Sequence, residues 1–243
     1  MKNIFLFSLV FLFQVVNAQG VLKSGAITFS ISGLDMDDPK SKQMNNPEMM
    51  EMFKNMMKYT MYFNPDHQKM SIDVMNGMTK TQVYYDATKS KSTTYMDMMG
   101  KKYKMIGEEA TPATTEKPKV EVVYDKTNTK KILDFDCYKA TMKISNIKQP
   151  ENAKGKKAPN EMTLTCYITE SISPSKLTMN NYGHNLAGFP LEFTMETQGM
   201  KMNVTATSIE KNVDVSVFEE PTGYKEVTKE EFEKEIGKSA FNK

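Results

Sequence analysis

The sequence predicts a mainly β, α+β chain in which short antiparallel strands dominate and two short helices accompany them. Three observations carry this. Apolar and β-branched residues recur at period two over most of the chain. Turn-forming residues separate those stretches at short intervals. Helical periodicity is confined to two places, around Met49 to Met57 and after Thr228. Of the 243 residues, 39% are hydrophobic and 26% charged, which excludes a disordered, fibrous or polytopic membrane protein.

The chain opens with Lys2 followed by an apolar run from Ile4 to Phe13, broken only by Ser8, and then Val16 and Ala18 at small-residue positions. This reads as a secretory signal peptide over residues 1–18, too short in its apolar run to remain as a membrane span. No Cys follows it for lipid attachment, so a soluble periplasmic or secreted domain over residues 19–243 is expected. About 225 residues suffice for one core.

The first strand is expected over Val21 to Gly33, where Ile27, Phe29 and Ile31 alternate with Thr28, Ser30 and Ser32. Asn46-Pro47 then supplies a helix cap and a Pro at the first helical position. Met49, Met50, Met52, Phe53, Met56 and Met57 fall on one arc of the helix that follows, with Glu48, Glu51, Lys54, Asn55 and Lys58 on the other. From Tyr59 the period becomes two. Hairpin strands are expected over Tyr59 to Phe63 and around Met70, Ile72 and Val74, then Thr79 to Ala87, Thr93 to Met98 and Lys102 to Ile106, with turns at Asn64-Pro65-Asp66 and Asn76-Gly77. Residues 108–119, with Pro112, Pro118 and no apolar periodicity, read as a solvated loop.

Beyond that loop, Val120 to Tyr124, Lys131 to Ile144 and Met162 to Thr169 read as strands, the last two joined through the Lys148 to Pro159 loop. A register centred on the middle of that loop sets Cys137 opposite Cys166, and in an exported protein such a pair reads as a disulfide, contributing about 3 to 4 kcal/mol. Phe189 to Thr197 and Met202 to Ser208 form a further hairpin, with Phe193, Met195, Met202, Val204 and Ala206 inward. Thr228 with Glu231 makes a capping box, and Val227 with Phe232 the flanking staple, so a short helix closes the chain with Phe232 and Ile236 inward.

Three phrases carry a family resemblance: Lys131-Ile132-Leu133-Asp134-Phe135-Asp136-Cys137-Tyr138-Lys139-Ala140, Gly188-Phe189-Pro190-Leu191-Glu192 and Phe218-Glu219-Glu220-Pro221-Thr222-Gly223-Tyr224-Lys225. They resemble an uncharacterised exported Bacteroidetes family, domain of unknown function 4412, over Lys131 to Lys225. That family is similar in architecture to the periplasmic lipoprotein carriers LolA and LolB. The resemblance implies a curved antiparallel sheet or incomplete β-barrel, partly covered by helices, whose concave apolar face receives acyl chains. This chain departs from the pattern in its Met-rich helix and hairpins, its lack of any Arg and its loop at residues 108–119.

A formal charge of +2, with every basic residue a Lys, lacks the field of a nucleic-acid binder. No nucleophile elbow, phosphate-cradling Gly loop, HExxH or short CxxC spacing occurs, so no catalytic residues and no enzyme activity are expected. The 22 Met residues are the anomaly. Most simply they pack the core. They also suit an adaptable apolar surface, and the expected ligand site sets Ile72, Val74, Phe193, Met195, Met202 and Val204 on the sheet beneath a lid of Met52, Phe53 and Met56. The expected ligand is a lipid or lipoprotein acyl chain, with no cofactor. As an alternative, Met49, Met52 and Met56 with His67 offer soft ligands for Cu(I). A third reading is an envelope scaffold whose apolar face docks another protein.

Overall fold

The computed structural model describes residues 20–36, 48, 51–52, 57–89, 91–98, 100–107, 119–146, 161–173, 186–197 and 200–241. Residues 1–18, expected as a signal peptide, and most of the expected loop 108–119 lie outside the described residues. So do Met49, Phe53 and Met56 of the expected Met-rich helix.

Alternation of apolar and polar residues yields twelve strands in a single unclosed, curved sheet. Its N-terminal half comprises β1 (Gly25–Met36), β2 (Met57–Phe63), β3 (His67–Val74), β4 (Thr79–Asp86), β5 (Lys91–Met98) and β6 (Lys101–Ile106). The C-terminal half comprises β7 (Lys119–Ile132), β8 (Phe135–Ser145), β9 (Met162–Thr169), β10 (Phe189–Thr197) and β11 (Met200–Glu210). Each half is an antiparallel meander, and β1 pairs with β11 to join them at the centre. Strand β12 (Lys225–Glu226) adds a short parallel edge to β6.

Curvature follows from the ring contacts. Phe63 on β2 and Phe189 on β10 are separated by β1 and β11, about 14 Å in a flat sheet, yet their ring centroids lie 5.7 Å apart. Both rings belong to the main core, whose buried members also include Ile132, Phe135, Ile172 and Leu186. Each such side chain contributes roughly 1.5 to 3 kcal/mol by leaving water.

Turn chemistry fixes the hairpins. Asn64 accepts hydrogen bonds from the backbone N–H groups of Asp66 (2.9 Å) and His67 (2.6 Å), which sets the β2–β3 turn. Met75, Asn76 and Gly77 all have positive φ (53°, 53° and 94°) between β3 and β4, a conformation that Asn and Gly adopt at low cost.

Several expectations are corrected. The first strand begins at Gly25, and Leu22 instead forms an isolated parallel bridge with Ile172. Met57 belongs to β2, opposite Val74, and not to the helix. Lys131 to Ile144 is not one strand: Leu133 and Asp134, at φ of 47° and 69°, form a two-residue turn that reverses the chain between β7 and β8. Strand β7 runs straight through the polar Asp125 to Lys130 stretch, where a bulge leaves three residues unpaired between Asp125 and Thr129.

The predicted disulfide is also overturned. The β8–β9 register sets Cys166 opposite Ala140, while Cys137 lies three residues further along β8, opposite Lys130 of β7. Three residues of strand add roughly 10 Å of offset, beyond the Cα separation a disulfide tolerates. Both thiols are free and buried.

After β11 the chain wraps around one edge of the sheet. A 3-10 turn at Val215–Phe218, capped by Asp214 accepting from the Ser216 N–H at 2.8 Å, lies against the outer face. There Lys69 donates to the Val217 carbonyl at 2.9 Å, and Tyr224 meets Tyr95 at 5.0 Å. Beyond β12, helix α1 (Lys229–Phe241) returns to the inner face, with Phe232 edge-on to Tyr103 at 5.3 Å. The capping box forms as predicted: Thr228 N–H donates to Glu231 at 2.9 Å and Glu231 N–H to the Thr228 hydroxyl at 3.2 Å, over buried Val227 and Phe232.

Candidate apolar binding site

Five neighbouring strands at the centre of the sheet, in the order β3-β2-β1-β11-β10, present their inner faces to a hollow of about 250 Å³. Strand β1 contributes Phe29, Ser30 and Ile31, β2 contributes Met57 and Tyr59, and β3 contributes Met70 and Ile72. From the C-terminal half come Phe193 and Met195 on β10 and Met202 and Val204 on β11. Register explains the convergence. Phe29 pairs with Tyr59 and Tyr59 with Ile72, while Ile31 pairs with Val204 and Val204 with Phe193, so two rows of inward side chains, offset by two residues on β1, together cross all five strands.

None of the lining residues is acidic or basic. Phe29 anchors the floor, 1% exposed, with its ring 5.0 Å from Tyr59 and 6.1 Å from Phe193. Met57, Met70, Met195 and Met202 surround it with flexible, polarizable thioethers. The one ionisable side chain is Tyr59, whose phenol burial holds well above the ordinary tyrosine range. Chemically, the arrangement offers dispersion contacts to a chain of variable shape.

Of the sheet residues expected from periodicity, Ile72, Phe193, Met195, Met202 and Val204 line the hollow together. Val74 sits beside it, opposite Met57 at the end of β3. Of the expected lid residues, Met52 is 43% exposed and is not among the residues that line the hollow, while Phe53 and Met56 lie outside the described residues. Phe29, Ile31, Met57, Tyr59 and Met70 were missed, although the alternation of β1 carried the signal for Phe29 and Ile31.

His67 projects from the face of β3 opposite to Met70 and Ile72, where its ring meets Phe218 at 5.9 Å. Met49 and Met56 lie outside the described residues, so of the proposed copper ligands only His67 and the exposed Met52 have a described position. Among the described residues no group of three or more His, Cys, Asp or Glu side chains converges as a metal site.

No family model matches the chain, and no curated protein matches it. Solved structures that show some similarity to the chain include the following. PNGF-II is 14% identical with a TM-score of 0.49, over 89% of this chain and 34% of that one, so the chain spans about a third of that protein's length. LprF from Mycobacterium bovis is 10% identical with a TM-score of 0.31, over 84% of this chain and 91% of that one. The Mycobacterium tuberculosis lipoprotein LppX is 9% identical with a TM-score of 0.28, over 80% of this chain and 90% of that one. Among the described residues no helix is long and apolar enough to cross a membrane.

Proposed function

We propose that this is an exported, non-enzymatic protein that holds a lipid or acyl chain in the hollow between β3 and β10. One observation carries the reading: five central strands, drawn from both halves of the chain, turn uncharged and mostly apolar side chains toward one open space. A core whose only task is packing closes such space, because interiors reach crystal-like density. Four Met among the lining residues suit a surface that adapts to its occupant, and a mostly apolar lining with few polar residues, here Ser30 and Tyr59, is the usual make-up of a small-molecule site.

Native mass spectrometry of the gently purified protein tests the reading, alongside titration with the apolar fluorophore N-phenyl-1-naphthylamine. A mass excess matching a lipid and lost on denaturation is expected, with fluorophore binding that Met195→Lys weakens at least tenfold while circular dichroism stays unchanged. Fluorophore binding indifferent to Met195→Lys in a folded protein, with no lipid mass in the spectrum, would refute the reading.

A further inference from the structure

Along the strands, the hollow is closed at one end and open at the other. Its deep boundary falls at Phe29 on β1, Tyr59 on β2, Met70 on β3, Phe193 on β10 and Val204 on β11. Two positions further along each strand, on the same face, stand Ile27, Met61, Gln68, Leu191 and Ala206, all of them buried and none lining the hollow. The void between Met61 and Met70 measures about 10 Å³, at the lower limit for a single water. In the opposite direction Met57, Ile72, Met195 and Met202 line the hollow while only half-buried. Exposure therefore rises along one axis, from the Phe29 and Phe193 rings, 6.1 Å apart, toward the end of the sheet where β2 begins and β10 finishes. A chain entering between the Met side chains meets two aromatic rings.

We infer that Phe29 and Phe193 form the end stop of the hollow and limit the straight apolar chain it accepts to a medium length, about eight carbons. The inference rests on the reading of the hollow as a chain-binding site and names the class of chain it selects. Volume sets the length. At about 30 Å³ per water-sized group, a methylene being close to that size, the hollow of about 250 Å³ takes roughly eight such groups. Each methylene that enters raises affinity about fourfold by leaving water, whereas one held outside the mouth adds little. A groove open at both ends, or a flat apolar face, sets no such limit. Phe193 is the adjustable half of the stop, because Phe29 also packs on Tyr59 at 5.0 Å and keeps that contact when Phe193 is shortened.

Displacement of N-phenyl-1-naphthylamine by the straight-chain alcohols from hexanol to dodecanol, each below its solubility limit, tests this. In the unmodified protein affinity is expected to climb about fourfold per carbon as far as octanol and then to level off. Phe193→Ala is expected to move that break roughly three carbons longer, since the space left by the ring collapses only in part, and the milder Phe193→Leu about one carbon. Circular dichroism reports whether each variant is folded. Affinity that climbs steadily through dodecanol overturns the inference, and so does a break that stays at octanol in a folded variant, while the hollow stands as an apolar site. Absence of fluorophore binding to the unmodified protein overturns both the inference and the reading beneath it. The alcohol series on the unmodified protein needs no variant, so it decides whether the hollow has an end even if Phe193→Ala fails to fold.

Discussion

Replacing Tyr59 by Phe is expected to stabilise the ligand-free protein. The substitution removes one oxygen from a ring that is 7% exposed and leaves the contact with Phe29 in place, so no cavity forms and no apolar packing is lost. What disappears is the cost of holding an unpaired hydroxyl away from water, about 1 to 3 kcal/mol in protein mutational data. For a protein of this size each kcal/mol moves the thermal midpoint by about 2 to 4 °C, so a rise of several degrees is expected, with an unchanged urea m-value. A pH series supplies an independent check. The folded-state phenol titrates above its unfolded value because burial disfavours the charged form. Its contribution is therefore fully present below about pH 10 and is lost as the pH rises beyond it, where the unfolded chain releases the proton and the folded one keeps it. The slope is up to about 1.4 kcal/mol per pH unit. Buried Tyr84, pushed up to about 12 mainly by burial, adds to the same alkaline loss, so the difference between the two proteins isolates Tyr59. A lower midpoint in Tyr59→Phe, or an identical alkaline slope in both, would show that the hydroxyl is satisfied and refute the reasoning.

Other perturbations follow from the same structure. The two thiols, pushed up by burial to about 11 for Cys137 and about 12 for Cys166, are expected to resist a thiol reagent at pH 8 in the folded protein and to react fully in denaturant, while a reductant leaves the thermal midpoint unmoved. A midpoint that falls on reduction would restore the disulfide. Phe193→Ala, at a side chain 4% exposed against Phe29, is expected to cost about 3 kcal/mol, the low end for such truncations because one side already faces the hollow; urea unfolding measures it, and a cost under 1 kcal/mol contradicts its place in the core. Thr228→Ala removes the helix cap at Glu231 and is expected to cost about 1 kcal/mol in the same assay, whereas Thr228→Ser should recover most of it.

Local patterns carried most of this fold. The β2 to β6 hairpins were legible because period-two alternation and Asn, Pro and Gly turns both depend on neighbours in sequence, and β10 was predicted at the bounds it adopts, Phe189–Thr197. The capping box was legible for the same reason, since Thr228 and Glu231 bond each other across a single turn. The Leu133-Asp134 turn was missed because the pair carries none of the Gly or Asn that normally permit two successive positive φ values. Met57 was misplaced because its neighbours obey a helical period up to the residue where the strand begins.

The cysteine error shows what a pattern cannot hold. Both cysteines were placed in strand segments, and both thiols are buried there. Their pairing, however, depends on register across a long loop, and there symmetry about the loop centre carries no physical force. Register is set by which side chains must share a face, and in β8 and β9 that requirement aligns Met142 with Leu164 and Ala140 with Cys166, leaving Cys137 three residues away. The hollow obeys the same rule. Ile72, Phe193, Met195, Met202 and Val204 were each found from the alternation of a single strand, but their convergence depends on the pairing of β1 with β11. Phe29 and Ile31 lie on that seam between the two halves of the chain, and no short window of sequence spans it.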